Sequence, residues 1–404
     1  MRNYNRLFKE VARRLNEFVK NVAGNTGKVL QNFLKDLWVG MLAARDVVLM
    51  EIARGTECVA SLKKQVDRFC DRLNSFFCMA LIWNYHRIIK PEINDRTIFC
   101  IDNTDVTKPY GFKFEHLCMV RDGSNGNIEK GYEITNIVAL TTDHRQPIPL
   151  YSYLFSNSEP DYVSNNDETE KALKCINSSF GNIGIKVFDR GYDDSKLMRF
   201  LINNNEKFII RCKENRILIH DDKEYRMEDL VKKLARETTF YFKDILLTFK
   251  SHAIWLQGME FNLVVVTGFG AKPMTLLTNL PASNDLAQTV GKVYMLRWKI
   301  EEKHRFEKMV FNLEDFRVRG IKAIRNLNML TSMLCGFIAI ICEHQKRKLF
   351  KDLFKMSKTL PKPCKKNPDL EHGFGKNHLF FYSITRALSE LYNAWRTRKY
   401  FSSS

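Results

Sequence analysis

The segment from residue 294 to residue 308, YMLRWKIEEKHRFEK, concentrates side chains that could act on a phosphate group. An α-helix turns by about 100° per residue, which would place four of these side chains within an arc of about 60°: Tyr294, Arg297, Glu301 and Lys308. Arginine and lysine bind phosphate oxygens well, whereas a carboxylate beside them is better suited to a metal ion. A solvated helix with alternating charges is the alternative interpretation of this segment taken alone.

Two aspartates stand at comparable places earlier in the chain. Asp102 follows the apolar run Thr97–Ile101, and Asp189 follows the apolar run Ile183–Phe188. Side chains at the ends of buried strands project into a site rather than into a core. Two such carboxylates and Glu301 can hold two Mg²⁺ ions about 3.5–4 Å apart, one activating the attacking water or 3′-hydroxyl and the other stabilising the leaving oxygen. Either aspartate could instead cap the turn that follows it.

Two further acids compete for the ligand positions. Asp105 lies three residues after Asp102, and Glu302 follows Glu301 directly. Glu302 would lie about 100° around the helix from Glu301, so a helical ligand is one or the other.

The elements that must position these residues form an α/β sheet with an antiparallel start in residues 91–342. The predicted order is three strands, a helix, a strand, a helix and a strand: Thr97–Ile101, Glu133–Thr141, Ile148–Phe155, Glu168–Ser179, Ile183–Phe188, a helix capped by Asp193 or Asp194, and Lys207–Arg211. A β-rich insertion is predicted at about 215–272, with strands at Thr239–Phe249 and Phe261–Thr267 around a helical piece at 227–236. The core then resumes with the strand Met274–Leu277 and one long helix from about Asp285 to Lys308.

Basic regions flank this catalytic domain. Residues 1–90 read as a helical domain, because apolar residues such as Leu7, Val11 and Leu15 recur at helical spacing, and they hold 16 Lys and Arg against 8 Asp and Glu. Residues 343–404, a predicted helical tail, hold 14 against 5, so the near-neutral middle leaves most of the net charge of +18 at the two ends. Basic ends around a balanced core suit a polyanion that is gripped at its flanks. General solubility, and plain helix packing for residues 1–90, are the alternatives.

Cysteines and apolar runs point to a cytoplasmic protein without a membrane partner. The ten cysteines include no CxxC pair and no Cys/His cluster with zinc spacing, which indicates a reducing compartment. The longest nearly apolar run, Met329–Cys342, spans 14 residues, which is too short to cross a bilayer and predicts a buried helix. The N-terminus shows no signal-peptide pattern.

With the residues in place, the sequence resembles the DDE transposases of bacterial insertion sequences, in the cut-and-paste subgroup with the Tyr-x2-Arg-x3-Glu-x6-Lys signature. The match lies in the spacing of Tyr294, Arg297, Glu301 and Lys308 and in the blocks VFDRGYDDSKLMRFL and KFIIRCK. The resemblance covers roughly residues 95–340. It implies an RNase H-like core with a β-rich insertion, in a bacterial, nucleoid-associated protein of the cytoplasm. It also implies excision and insertion of an element through a hairpin intermediate.

The resemblance also implies roles for single residues. Asp102, Asp189 and Glu301 match the catalytic metal ligands for Mg²⁺, or Mn²⁺ in its place, and Tyr294, Arg297 and Lys308 match the DNA-binding signature. Arg211 matches a basic residue beside the site, with Lys213 assisting, whereas Arg190 either joins them or holds the loop by pairing with a carboxylate. Trp255 either stacks on an extruded base or packs in the core. The implied partners are double-stranded DNA with terminal inverted repeats, target DNA, and a second copy of the chain in a synaptic homodimer.

Two other functions compete with transposition. A DNA-binding repressor could keep the fold without its chemistry, although acids held near each other are costly to keep ionised without a use. A nuclease of the same fold would carry identical residues and differ only in lacking strand transfer.

Overall fold

The computed structural model describes residues 2–56, 60–75, 79–123, 125–141, 146–233, 238–242, 245–256, 258–268, 272–344, 347–360 and 378–402. The chain begins with helices, in agreement with the helical prediction for residues 1–90. They are α1 (Arg2–Ala23), α2 (Lys28–Ala44), α3 (Leu49–Gly55), α4 (Leu62–Ser75) and α5 (Met79–Ile89).

Apolar spacing explains why these helices pack onto the rest of the protein. Val11, Leu15 and Val22 line one face of α1 and are almost fully buried. Trp38 of α2 is buried as well, and its indole N–H donates to the Leu330 carbonyl at 2.9 Å. Burying one such side chain contributes roughly 1.5–3 kcal/mol, so the helices are fixed to the core by their apolar faces.

In the described ranges, twelve strands form one mixed sheet. They are β1 (Ile98–Thr107), β2 (Cys118–Arg121), β3 (Ile128–Leu140), β4 (Pro147–Phe155), β5 (Ile185–Phe188), β6 (Lys207–Arg211), β7 (Ile217–His220), β8 (Lys223–Arg226), β9 (Thr238–Phe242), β10 (Ile245–Leu256), β11 (Met259–Thr267) and β12 (Met274–Thr278). Their order is β2-β3-β1-β5-β6-β12-β11-β10-β7-β8, with β4 paired to β3 and β9 paired to β10.

The centre of the sheet has the predicted antiparallel start followed by parallel strands. β3 runs antiparallel to β1 and to β4, whereas β1, β5 and β6 are parallel. The crossovers are α6 (Asn165–Phe180) and α7 (Ser195–Asn203). Asp194, one of the two predicted caps, accepts hydrogen bonds from the backbone of Lys196 and Leu197 at the start of α7.

Successive side chains of the central strands point to opposite sides of the sheet, and both sides are covered by apolar residues. Phe99, Ile101 and Phe188 belong to the larger apolar core, which includes α6 and α7. Cys100 and Val187 belong to a second cluster on the other face, which includes α9 (Leu286–Met295).

The predicted β-rich insertion is part of the main sheet. β10 pairs with β11, and β11 pairs with the core strand β12 over Asn262–Val266, so the insertion extends the sheet sideways. The prediction of a single strand over Thr239–Phe249 is wrong. The same residues form two antiparallel strands, β9 and β10, paired with Phe242 opposite Ile245 and Thr238 opposite Phe249. The helical piece is α8 (Met227–Lys233).

The long helix predicted from Asp285 to Lys308 is two helices, α9 and α10 (Trp298–Val310). Around Leu296 and Arg297 the backbone bonds span three residues, as in Arg297 N–H to the Tyr294 carbonyl at 3.0 Å. Such a tight turn advances about 120° per residue instead of about 100°. The turn therefore changes the direction in which the side chains of α9 and α10 project relative to one continuous helix.

The last part of the chain is helical where it is described. It contains α11 (Ile321–Glu343), α12 (Lys348–Thr359) and α13 (His378–Ser402). Of the helices in the described ranges, α11 alone is long and apolar enough to cross a membrane by composition, but 89% of its apolar window is buried inside the protein. It contains the run Met329–Cys342 that the sequence assigned to a buried helix. Seven of the ten cysteines fall in the described ranges as free thiols.

Candidate active site

Strand register brings Asp102 and Asp189 together. β1 and β5 are parallel, with Cys100 opposite Val187 and Ile101 opposite Phe188. Asp102 and Asp189 are the next residues in this register, and by alternation they lie on the same face as Cys100 and Val187, which α9 covers. The prediction that Asp102 ends its strand is wrong, because β1 continues to Thr107 through its pairing with β3.

Arg211 extends the same row of residues. β5 and β6 are also parallel, with Val187 opposite Ile209 and Phe188 opposite Ile210, so Arg211 follows in register with Asp189. The positive charge of Arg211 acts on the Tyr294 phenol and lowers the pKa of that group against the larger effect of burial. A cation therefore stands beside the two aspartates at one edge of the sheet.

The turn between α9 and α10 supplies the remaining groups. The Tyr294 hydroxyl donates to Asp189 Oδ1 at 3.2 Å. Arg297 Nη1 donates to Asp102 Oδ2 at 3.2 Å and to Glu301 Oε1 at 3.2 Å. One guanidinium thus bridges two of the three predicted ligands, and a phenol holds the third.

The electrostatics of the cluster follow from its burial and its like charges. Burial, followed by the charge of Glu301, raises the pKa of Asp102 well above its usual range, although Arg297 opposes the shift. Burial and the charge of Asp189 raise the pKa of Tyr294. Burial alone would lower the pKa of Arg297, but Asp102 and Asp189 raise it above its ordinary value. The guanidinium stays charged and partly balances a cluster of acids.

Neither aspartate behaves as a simple turn cap. Asp189 precedes a 3₁₀ turn but makes no side-chain cap hydrogen bond to it. Asp102 accepts one hydrogen bond from the backbone of Asn103 at 3.0 Å, while its other oxygen faces Arg297.

Lys308 lies apart from the three ligands, on the rival acid Asp105. Its ammonium is 3.3 Å from Asp105 Oδ2 and 3.0 Å from Glu314 Oε1. The other oxygen of Asp105 accepts the backbone N–H of Gly123 at 3.0 Å. Asp105 is therefore held by the Lys308 ammonium and the Gly123 backbone. α10 carries both Glu301, which lies near Asp102, and Lys308, which lies at Asp105.

The remaining candidates point elsewhere. Glu302, the second rival, pairs with Lys299 at 2.7 Å. Lys213 donates its backbone N–H to Asp193 at 2.7 Å and its ammonium to the Asp193 carbonyl at 3.4 Å. Arg190 is exposed, and its charge acts on Glu214. The side chain of Trp255 lies outside the described residues.

The acids are neighbours, but they do not form a preassembled cage. Within the described ranges, no group of three or more histidine, cysteine or acidic side chains is arranged to hold a metal ion. Arg297 lies between Asp102 and Glu301 and keeps them on its own donors. The chemistry of the set, three carboxylates with one of them held at a raised pKa, still suits a hard divalent cation.

Sequence reasoning missed two residues of α10 beside this cluster. His304 is buried, and neither ring nitrogen has a hydrogen-bond partner among the described residues. It falls about 60° from Glu301 around α10, on the same face as Lys308, which helical spacing could have revealed. Trp298 follows Arg297 directly and is 58% exposed. An exposed indole on a helix is not distinguishable from a buried one by sequence alone.

The mixed α/β sheet thus gathers acids and cations at one edge. The sequence matches the family model described as "Transposase DDE domain" over residues 93–335, more than half of the chain. The chain belongs to the DDE transposase family.

Comparison with solved structures shows similar chains. The protein is similar to a piggyBac transposase, solved by cryo-EM in a synaptic complex with hairpin DNA, with a TM-score of 0.46 and 10% sequence identity. The alignment covers 98% of this chain and 81% of that chain. A comparison with curated protein sequences found no match.

Proposed function

We propose that this transposase catalyses metal-dependent phosphodiester hydrolysis and strand transfer, which together excise and insert a DNA element. The observation that carries the proposal is the Arg297 bridge between Asp102 and Glu301, with Asp189 held beside them by Tyr294. The gathering of these residues at one sheet edge, from places far apart in the sequence, supports giving them the roles that the sequence resemblance implies.

The three carboxylates Asp102, Asp189 and Glu301 would hold Mg²⁺, or Mn²⁺ in its place. Bound there, the metal supplies activation of the attacking water or 3′-hydroxyl and stabilisation of the leaving oxygen. The fit rests on the donor set, because partly buried acids that repel each other favour a cation.

Arg297 and Tyr294 position the acids and the phosphate. Without DNA, the guanidinium neutralises Asp102 and Glu301 and keeps them together. When a phosphate enters, its oxygens compete for the same planar donors, which bind phosphate in a bidentate manner. Once the phosphate occupies the guanidinium, Asp102 and Glu301 would be free to hold a metal ion, while Tyr294 keeps Asp189 oriented. Arg211, Lys213 and Lys308 supply further positive charge for the DNA backbone.

The proposed partners follow from the charge distribution. Residues 1–90 and 343–404 carry the surplus of Lys and Arg, and they would grip double-stranded DNA with terminal inverted repeats on both sides of the cut. Target DNA and a second copy of the chain, in a synaptic homodimer, complete the assembly.

The finer classification is part of the same proposal. The strand order β4-β3-β1-β5-β6, with β3 antiparallel and α6 and α7 as crossovers, supports an RNase H-like core. The spacing of Tyr294, Arg297, Glu301 and Lys308 supports the cut-and-paste subgroup from bacterial insertion sequences.

Cleavage by purified protein tests the proposal. The full chain is incubated in Mg²⁺ with duplexes taken from the DNA that borders its gene, and cut strands are counted in single turnover. We expect Asp102→Asn, Asp189→Asn and Glu301→Gln to lose at least about 1000-fold in rate, about 4 kcal/mol of activation free energy. Glu302→Gln is the matched control, because Glu302 pairs with Lys299 outside the cluster.

The same assay separates the competing functions. Joining of the cut 3′ end to a supercoiled plasmid supports transposition, whereas cutting without joining supports a nuclease. Binding without any cutting supports a repressor. Equal loss in Glu302→Gln and Glu301→Gln would refute the assignment of the helical ligand.

A further inference from the structure

The hairpin formed by β2 and β3 exposes an unusual set of side chains. Tyr110 and Phe112, in the segment that leads into β2, are 88% and 76% exposed, and Met119 and Ile128 are also more than half exposed. Isolated apolar residues on a surface are ordinary, but a contiguous group marks a contact surface.

Strand pairing shows that these residues share one face with cations. Met119 is opposite Lys130, and Arg121 is opposite Ile128, so all four project to the same side of the hairpin. The Lys130 ammonium lies over the Phe112 ring at 4.3 Å, which joins the loop to the strands. We call this surface the hairpin face: Tyr110, Phe112, Met119, Arg121, Ile128 and Lys130.

The acids of the same segment either have hydrogen-bond partners of their own or project to the other side of the hairpin. Glu115 accepts the backbone N–H of Ile321 at 2.8 Å, and Asp122 accepts the Asn125 amide at 2.9 Å. Glu129 is opposite Val120 and projects to the other side of the hairpin. Among the described residues of the hairpin, the face is therefore apolar and positively charged.

The hairpin is tied directly to the candidate active site. Its turn donates the Gly123 N–H to Asp105, which also binds Lys308 of α10 at 3.3 Å. Asp105 lies three residues from Asp102, about 10 Å along β1, and β2 adds about 13 Å more. By these estimates the hairpin face lies about 23 Å or less from Asp102. That distance is the length of about seven base pairs at about 3.4 Å per pair.

We infer that the hairpin face binds the DNA duplex next to the cleaved bond, an inference that rests on the proposed function. Arg121 and Lys130 contact phosphates, while Tyr110 and Phe112 pack against sugars or bases in the minor groove. A second copy of the chain fits this surface poorly. A two-fold contact would place cations against the same cations, whereas a polyanion complements them.

The salt dependence of binding distinguishes phosphate contacts from apolar contacts with sugars or bases. DNA affinity is measured in EDTA, so that binding is observed without cleavage, with a 40-base-pair duplex from the border of the gene. Each lost phosphate contact reduces the slope of log affinity against log salt by about 0.9. We expect Arg121→Ala with Lys130→Ala to flatten the slope by nearly 2. Tyr110→Ala with Phe112→Ala should weaken binding about tenfold at an unchanged slope.

Matched variants control for charge and folding. Lys174→Ala with Lys196→Ala removes the same charge from exposed positions on α6 and α7, over the opposite face of the sheet, and should leave the slope unchanged. Arg121→Lys with Lys130→Arg keeps both charges and should restore the slope. Thermal melting of each variant confirms that it is folded.

Duplex length locates the contact. The duplex is shortened from either side of the cut until three base pairs remain. Wild-type affinity should fall when one particular side is trimmed below about seven base pairs, and the hairpin variants should not respond to that trimming. A wild-type slope in Arg121→Ala with Lys130→Ala would overturn the inference. So would loss of self-association in sedimentation with DNA affinity intact, because a second copy would then cover the face. Either result leaves the cleavage test of Asp102 untouched.

Discussion

Asp102 and Arg297 are in contact through Oδ2 and Nη1 at 3.2 Å, although 195 residues separate them in the chain. The same nitrogen contacts Glu301, so the charge of Arg297 reduces the repulsion between the Asp102 and Glu301 carboxylates. Burial and the charge of Glu301 raise the pKa of Asp102. The ionised form of Asp102 is therefore unfavourable in the folded protein.

This unfavourable charge predicts a gain of stability in Asp102→Asn. A carboxyl whose pKa is raised on folding holds its proton more tightly in the folded state, so its contribution to stability declines as pH rises above its unfolded pKa near 3.9. At pH 7 in EDTA, we expect Asp102→Asn to be about 1 kcal/mol more stable than wild type, in line with other relieved functional sites.

Chemical denaturation with and without Mg²⁺ measures this effect. Mg²⁺ should stabilise the wild type, because a ligand that binds the folded state shifts the unfolding equilibrium, and it should stabilise Asp102→Asn much less. Asp102→Ala tests whether the gain comes from the lost charge rather than from the new amide. An Asp102→Asn variant that unfolds more easily than wild type in EDTA would show that the acid cluster is not strained.

Removal of the Tyr294 hydroxyl should lower the cleavage rate with little loss of stability. It donates to Asp189 at 3.2 Å and is the group that orients this carboxylate. Losing a hydrogen bond worth about 1.5 kcal/mol in the reacting state lowers the rate about tenfold. We expect this loss for Tyr294→Phe in single-turnover cleavage, with a small change in the free energy of unfolding.

Tyr132→Phe is the matched control. Tyr132 is also buried, but its hydroxyl donates to the Glu115 carbonyl, away from the acids. It should lose about 1 kcal/mol of stability and keep the wild-type rate. Equal rates for Tyr294→Phe and wild type would remove Tyr294 from the positioning of Asp189.

Breaking the buried ion pair between Lys186 of β5 and Glu206, which directly precedes β6, should have a large effect on stability alone. Lys186 and Glu206 are fully buried, and Lys186 Nζ lies 2.5 Å from Glu206 Oε2. Burial lowers the pKa of Lys186, and Glu206 opposes this shift. Glu206→Gln leaves the ammonium without its counter-charge, so we expect a loss of about 3–5 kcal/mol in the free energy of unfolding.

The double variant distinguishes pairing from packing. Lys186→Met with Glu206→Leu replaces both charges by apolar groups, and it should lose less stability than either single change in a denaturant titration. Additive losses would mean that the two residues act independently.

The sequence predicted the strands around the site well but not how they pair. β5 and β6 read correctly because buried parallel strands are continuous apolar runs, and β6 was predicted over Lys207–Arg211 as observed. The alignment of Asp102, Asp189 and Arg211 in one row depends on the register between strands that are far apart in the chain. No local pattern encodes that register.

Other features of the site lacked a local signal. The break between α9 and α10 contains no glycine or proline, so the periodic pattern runs through Leu296 and Arg297 as if the helix were unbroken. The Arg297 bridge depends on tertiary packing, and so does the His304 ring, which has no hydrogen-bond partner in the described part of the chain. Asp102 lies within its strand because β3 pairs with residues beyond it, which the polar sequence after Ile101 concealed.

Acid should destabilise the protein through His86, which is buried between α5 and the sheet. Its Nδ1 lies 2.7 Å from the Ser179 hydroxyl, and its Nε2 lies 2.8 Å from the Leu150 carbonyl. Nε2–H donates to the carbonyl, and in the neutral ring Nδ1 accepts from the Ser179 hydroxyl. Burial lowers the pKa of His86 to about 4. An unfolded histidine has a pKa near 6.5, so the unfolded state binds more protons between these values and stability falls as pH decreases through that window.

A glutamine at this position should remove that dependence, because its amide can donate and accept but does not titrate. The wild type should lose about 3 kcal/mol of unfolding free energy between pH 7 and pH 4 from this group, since one pKa unit corresponds to about 1.4 kcal/mol. His86→Gln should be less stable than wild type at pH 7 but should change less on acidification. Urea titrations of both proteins at intervals between pH 7 and pH 4 measure the difference. Parallel pH profiles for the two proteins would show that His86 is protonated in the fold, and that its contacts with Ser179 and Leu150 are not those of a neutral ring.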